Sequence, residues 1–142
     1  RRSSDLEYFF VPENLYIIGM MNTADRSLAM IDYALRRRFS FFDMVPGFDS
    51  DGFKKYQENL DCDAFNRVID AIKALNVEIA KDDSLGKGFC IGHSYFCNQE
   101  SIDDMWLGNV IEYDIAPMLR EYWFDNDKKF KEETDKLLSL IK

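Results

Sequence analysis

The chain has 142 residues, of which 46% are hydrophobic and 15% aromatic, and its formal net charge is −8 at pH 7. This length and composition predict one folded domain, or one domain with a small second unit, that can bury a core. No run of about 18 apolar residues occurs, which argues against a membrane-spanning helix, and the acid excess, all of it in residues 43–142, makes that part a poor partner for DNA phosphate.

The first predicted element is a strand at residues 14–21, an apolar run rich in β-branched and aromatic residues that follows Pro12. Such a run is typical of a strand buried on both faces of a parallel sheet, although the pattern alone also allows a turn of buried helix. Polar side chains begin at Asn22 and continue through Asp25 and Arg26. In open α/β sheets, ligands bind beyond the carboxyl ends of the strands, so these residues are candidates for a site.

A helix is predicted at residues 28–37, where apolar residues recur at helical spacing and the segment closes on Arg36, Arg37 and Arg38. A second buried strand is predicted at residues 38–45, and Pro46-Gly47 marks a boundary. The expected fold class is therefore α/β, with two parallel strands and a connecting helix in residues 1–46.

Residues 47–142 are predicted to form a second, mostly helical unit. Helices are expected at 50–60, at 63–81 with Asp63 as its N-cap, at 102–112, and at 128–141. A further helix that ends near Trp123 is expected to begin after Asp114, because Pro117 suits an early helical position. The glycine-rich segment 86–97 is expected to form a small hairpin or an extended pair.

The three cysteines, an odd number at irregular spacing, predict reduced thiols and a cytoplasmic protein. Cys90, His93 and Cys97 supply three metal ligands at most, and in an extended strand the two cysteines would point to opposite faces. No metal site is therefore predicted.

Four stretches of this sequence resemble the McrB family. They are Met-Asn-Thr-Ala-Asp-Arg-Ser (21–27), Asp-Tyr-Ala-Leu-Arg-Arg-Arg-Phe (32–39), Gly-Lys-Gly-Phe-Cys-Ile-Gly-His-Ser-Tyr-Phe (86–96) and Asp-Ile-Ala-Pro-Met-Leu-Arg-Glu-Tyr-Trp-Phe (114–124). The family is the GTP-hydrolysing motor subunit of a restriction system that acts on methylated DNA. The resemblance runs from about Val11 to the C-terminus and implies the C-terminal portion of an AAA+ core followed by a helical lid.

The resemblance also implies roles for particular residues. Asn22 would be sensor 1, which orients the attacking water in phosphoryl transfer, although an amide there could simply satisfy a turn. Arg37 and Arg38 would be arginine fingers presented to a neighbouring subunit, although positive charge at a helix C-terminus is also favoured by the helix dipole. Arg36 is interpreted as helix surface.

Four further residues are candidates for contact with the nucleotide or with a neighbouring subunit: Asp25, Arg26, His93 and Ser94. Asp25 and Arg26 could equally cap a helix and pair with each other, and a lone histidine is more often packed than catalytic. The sequence departs from AAA+ lids at Gly92-His93-Ser94-Tyr95, where such lids often supply a sensor 2 arginine.

No phosphate-binding Gly-x-x-x-x-Gly-Lys-Ser/Thr motif and no strand ending in adjacent carboxylates occurs. We therefore expect a C-terminal part of a longer protein that is inactive alone and needs GTP (or ATP) and Mg²⁺ when intact. The implied partners are further copies in a ring, a McrC-like nuclease, and DNA bound through other parts, with no membrane. The alternatives are a generic AAA+ ATPase with a remodelling role and a non-enzymatic interaction domain.

Overall fold

The computed structural model describes residues 11–21 and 33–141. Within them the α-helices are α1 (Tyr33–Arg36), α2 (Asp51–Leu60), α3 (Asp63–Lys81), α4 (Asp104–Asn109), α5 (Ala116–Tyr122) and α6 (Asp127–Ser139). Short 3-10 turns occur at Gly47–Asp49, Lys87–Phe89 and His93–Phe96, and a π-helical segment spans Val110–Ile115. The described residues contain no strand.

Helix α3 lies at the centre of the helical unit. Its apolar residues recur at positions i, i+3 and i+4, which places them on one face, and six of them are buried: Phe65, Val68, Ile69, Ile72, Leu75 and Ile79. They form one hydrophobic core with buried side chains from the other lid elements, including Phe48, Phe53, Phe96, Leu107, Ile111, Ile115, Leu119 and Leu137. The predicted bounds of this helix, 63–81, are confirmed.

Helices α4 and α5 are continuous through the π-helical segment, so the predicted start of a new helix after Asp114 is wrong. Pro117 has no backbone N–H and its ring crowds the carbonyl group one turn earlier. A widened turn immediately before a proline relieves that conflict without ending the helix. The buried residues Val110, Ile111 and Ile115 lie in this widened turn, so the core packing also favours continuity.

The structure shows two side-chain caps that the sequence analysis missed, and one predicted cap is wrong. Ser50 is the N-cap of α2, and its hydroxyl accepts a hydrogen bond from the Phe53 N–H. Asp63 was expected to cap α3, but Cys62 occupies that position and makes no side-chain cap bond. Asp103 caps α4 by accepting from the Trp106 N–H at 2.7 Å.

The hairpin predicted at residues 86–97 is wrong, because two 3-10 turns stand there instead. The side chain of Asn76 on α3 explains the difference. Its Oδ1 accepts from the Ile91 N–H at 2.6 Å, and its Nδ2 donates to the Ile91 carbonyl at 2.9 Å. This amide supplies the donor and acceptor that a neighbouring strand would otherwise provide, and Ile91 is buried beside it.

The two strands of the predicted AAA+ core are not seen. Residues 15–21 and 39–46 have no regular secondary structure, and their apolar side chains are exposed, with Ile18 at 93% and Phe42 at 85%. A strand is stabilised by hydrogen bonds to an adjacent strand and by burial of its faces. The described residues offer neither to these segments.

We predict that Asn76→Ala destabilises the helical unit by about 1–3 kcal/mol, because it leaves the partly buried N–H and C=O groups of Ile91 without partners. Chemical denaturation of the purified chain measures the effect. Glu78→Ala is the matched control, since Glu78 is exposed on the same helix and should cost less than about 0.5 kcal/mol. Equal stability of the two variants would show that the Asn76 bonds contribute nothing.

Candidate functional site

The three arginines lie in an exposed turn at the end of α1, which we call the arginine turn (residues 36–38). Arg36 is the last residue of the helix, and the Arg38 N–H donates to the Leu35 carbonyl at 3.0 Å. All three side chains are exposed, and no ion pair joins them to any other described residue. Guanidinium groups that lack a carboxylate partner are available to bind a phosphate or carboxylate outside the described residues.

The predicted site residues Asn22, Asp25 and Arg26 lie outside the described residues. Their assignment to nucleotide or subunit contact therefore stays a prediction. No hydrogen bond or ion pair among the described residues joins the arginine turn to His93 or Ser94.

His93 contacts the segment that enters the helical unit. Its Nδ1 accepts a hydrogen bond from the Gly47 N–H at 3.0 Å. Its ring packs edge-on against Phe48 and Phe53, at centroid distances of 6.1 and 5.9 Å. Because Nδ1 is the acceptor, the neutral ring carries its proton on Nε2.

There is little space for a side chain at Gly47 in this arrangement. A Cβ atom at this position would lie 3.0 Å from Cε1 and 3.1 Å from Nε2 of His93. Ser94, the other predicted residue here, has an exposed side chain. The sequence analysis identified His93 but missed Gly47, and the only signal was the Pro46-Gly47 break.

A second contact holds the same segment. The Nζ of Lys73 on α3 donates to Oδ1 of Asp49 at 2.6 Å. This hydrogen bond and the charge of the Lys73 ammonium lower the pKa of the Asp49 carboxyl below its usual value. We call the Gly47–His93 hydrogen bond and the Asp49–Lys73 ion pair the entry clamp, because together they fix residues 47–49 against two parts of the helical unit.

The comparisons with known proteins agree on one family. Residues 67–131 match the family described as "McrB, alpha-helical lid domain". The "Type IV methyl-directed restriction enzyme EcoKMcrB subunit" of Escherichia coli (strain K12) is 51% identical in an alignment that covers 95% of this chain. The chain is McrB-like. It spans 31% of the length of that relative.

In this McrB-like chain, the matched lid region contains His93, Lys73 and Asn76 but begins after α2. Gly47 and Asp49 nevertheless bond to that region, and Phe53, Tyr56 and Leu60 of α2 pack in its core. The helical unit of the structure therefore extends beyond the matched residues on the N-terminal side.

The described residues contain no candidate for a membrane-spanning helix or for a metal site. None of their helices is both long enough and apolar enough to cross a membrane. No group of three or more His, Cys, Asp or Glu side chains in residues 11–21 and 33–141 is arranged to hold a metal ion.

We predict that Gly47→Ala destabilises the lid by about 1–3 kcal/mol, because the added methyl group overpacks the His93 ring. His93→Ala should also destabilise, since it removes the acceptor for the Gly47 N–H. The double variant should be less destabilised than the sum of the two, with a coupling of at least about 0.5 kcal/mol. Chemical denaturation of the four proteins measures this cycle.

Gly52→Ala serves as the matched control, because no atom lies within 4 Å of the added Cβ and alanine is the better helix former. It should leave stability unchanged or slightly raised. Strict additivity in the Gly47–His93 cycle would contradict the contact.

We predict that Lys73→Met raises the pKa of Asp49 toward its ordinary value, because it removes the hydrogen bond and the charge that lower it. A lowered carboxyl pKa stabilises the fold at pH values above the unfolded-state pKa, and this gain is lost as the pH falls through the folded-state pKa. The ion pair is exposed, so the effect on stability is small and the test is an NMR titration of the carboxyl carbon.

Lys131→Met is the control for this titration. Lys131 pairs with Asp127 at 2.7 Å and lowers the pKa of that carboxyl. The control should raise the pKa of Asp127 and leave that of Asp49 unchanged. An Asp49 titration that is the same in the wild type and in Lys73→Met would show that the Asp49–Lys73 half of the entry clamp does not form in solution.

Proposed function

We propose that this chain is the C-terminal part of the AAA+ module of a GTP-hydrolysing motor subunit in a methylation-dependent restriction system. The observation that carries the proposal is the 51% identity, over 95% of the chain, to a protein named as a subunit of a methyl-directed restriction enzyme. The match of residues 67–131 to the McrB lid supports the same assignment. In this proposal residues 1–46 belong to the AAA+ core and residues 47–142 form the lid.

Arg37 and Arg38 are proposed as arginine fingers that act on the nucleotide of a neighbouring subunit. Their exposure and their lack of ion pairs among the described residues suit this role, because a paired guanidinium would first have to leave its carboxylate. An arginine placed against the transferring phosphoryl group stabilises the charge of its transition state, an effect of about 10³–10⁵ in rate in other systems.

The remaining roles follow the same proposal. Asn22 orients the attacking water, and Asp25, Arg26, His93 and Ser94 contact the nucleotide or the neighbouring subunit. At His93 only the Nε2 edge can serve such a contact, because Nδ1 already accepts from Gly47. GTP, or ATP in the alternative, would be bound with Mg²⁺ mainly by a phosphate loop upstream of these residues, so the chain alone should hydrolyse neither nucleotide.

The entry clamp fixes the first residues of the lid, 47–49, against His93 and Lys73. Hinged domains move as rigid bodies about a few residues at the end of an element. Because Gly47 and Asp49 are held against the lid, the flexible joint is proposed to lie at or before Pro46. The intact protein would then form a ring of identical subunits in the cytoplasm, bind a McrC-like nuclease, and contact DNA through other parts.

We predict that Arg37→Ala or Arg38→Ala, in a protein extended upstream to include its phosphate loop, abolishes hydrolysis but leaves nucleotide affinity largely intact. The reason is that a finger contacts the transition state of another subunit's nucleotide and contributes little to ground-state binding. Steady-state GTP and ATP hydrolysis and fluorescent-nucleotide binding measure the two effects. Arg36→Ala is the matched control, since it removes an adjacent exposed arginine and should retain activity.

Mixtures test whether the finger acts in trans. Wild type and Arg37→Ala, combined in varying ratios, should lose activity faster than in proportion to the variant fraction. A preference for ATP with the same behaviour would favour the generic AAA+ ATPase. Lost nucleotide binding with unchanged turnover at saturation would contradict the finger role, and no hydrolysis by the wild type would favour an interaction domain in which the arginine turn docks a partner.

A further inference from the structure

The lid has one long stretch without positive charge. No lysine or arginine occurs between Lys87 and Arg120, yet the stretch contains five carboxylates, all exposed: Glu100, Asp103, Asp104, Glu112 and Asp114. None of the five forms an ion pair with a described residue. The segment from Glu100 to Asp114 therefore carries negative charge that no described side chain neutralises.

An apolar groove lies in this acidic segment, and Asp103 is the one carboxylate of the five that lines it. It has a volume of about 330 Å³ and is lined by Ser101, Ile102, Asp103, Met105, Trp106 and Asn109. Met105 is 73% exposed, and Tyr113, two turns further along the same helix, is 72% exposed. Methionine adapts to varied apolar partners, and tryptophan and tyrosine are enriched where partner proteins bind most strongly.

The charge around the groove selects among the possible occupants. Nucleic acids and anionic membranes carry phosphate and would be repelled. The same face of a second copy would be repelled as well, since it carries the same five carboxylates. A helix that inserts one large apolar side chain and surrounds it with lysines or arginines would complement both the groove and its rim.

We propose that this groove, between residues 101 and 113, binds a basic amphipathic helix of a partner protein. One apolar anchor of that helix would fill the space between Met105 and Trp106, and its cations would face Asp104 and Glu112. The proposal goes beyond the nucleotide chemistry of the arginine turn, because it requires neither nucleotide nor a neighbouring subunit.

The test uses the chain itself and a model peptide of 15 residues, made of alanine and lysine with one central leucine. Amide and indole NMR shifts at about 150 mM salt, where the Debye length is about 8 Å, report where the peptide binds. We expect saturable shifts at Trp106, Gly108 and Asn109. Replacing the central leucine of the peptide by serine should weaken binding at least about tenfold if the groove takes an apolar anchor.

Two variants with equal net charge separate the groove from general attraction. Asp104→Lys with Glu112→Lys reverses charge beside the groove and should weaken peptide binding at least about tenfold. Asp70→Lys with Glu78→Lys reverses two exposed carboxylates on α3 and should change it by less than about threefold. Met105→Lys places a cation in the groove without altering the buried core and should weaken binding as the first variant does.

Several outcomes would overturn the proposal. Equal losses in the two charge-reversal variants, or shifts that spread over the acidic surface away from Trp106, would show only non-specific attraction. A serine peptide that binds as well as the leucine peptide would remove the apolar anchor. Self-association of the chain in sedimentation, abolished by Met105→Lys, would show that a second copy covers the groove. None of these outcomes bears on hydrolysis by the arginine turn, so the two proposals fail separately.

Discussion

The lid depends on the burial of one face of α3. Six side chains of this helix are at most 2% exposed, and they form one core with buried side chains of the other lid elements. Burying each of these side chains stabilises the fold by about 1.5–3 kcal/mol relative to leaving it exposed. Because this helix is packed into the core, its polar side chains have fixed positions and can bind the irregular segments next to it.

The polar side chains of α3 use that fixed position. Arg67 donates from Nε and Nη2 to the Leu140 carbonyl, at 3.3 and 3.0 Å, beyond the end of α6. Lys73 holds Asp49 in the entry clamp, and Asn76 holds Ile91. Three irregular segments, at Asp49, Ile91 and Leu140, are thus each bound to the same helix. The Leu140 carbonyl, at the C-terminus of α6, also gains a cationic partner in Arg67, which the helix dipole favours.

The sequence predicts the helices better than the connections between them, for a physical reason. The bounds of α3 follow from a periodicity that is local, so they could be predicted from residues 63–81 alone. The structure of the segment around Ile91 depends on Asn76, which is fifteen residues away, and no local pattern indicates such a contact. Pro117 predicts a helix start, because proline is common at early helical positions. In the structure the helix instead continues through a π turn, and buried residues lie before, within and after that turn.

For the candidate site, the sequence indicates which types of side chain are present, but it does not indicate what they contact. The three consecutive arginines are exposed and without ion pairs among the described residues, which suits the phosphate contact that the motif implies. The apolar runs beside them are also exposed, with Met20 at 100%, so the burial predicted for these strands requires surfaces other than those of residues 11–21 and 33–141. A sequence pattern indicates that a segment is to be buried but does not say against what.

His93 combines core packing with a hydrogen bond to the segment that enters the lid. Its ring is held between Phe48 and Phe53, and Nδ1 binds the N–H of Gly47, one residue after the predicted domain boundary. Nε2, on the other side of Cε1, is the ring nitrogen left for another contact. A neutral imidazole couples its two nitrogens, because the proton on one fixes the other as an acceptor. A group that accepts a hydrogen bond from the Nε2–H is therefore compatible with the bond to Gly47, whereas a group that donates to Nε2 requires the proton on Nδ1 and breaks that bond. The choice of partner at Nε2 would for that reason act directly on the Gly47–His93 half of the entry clamp.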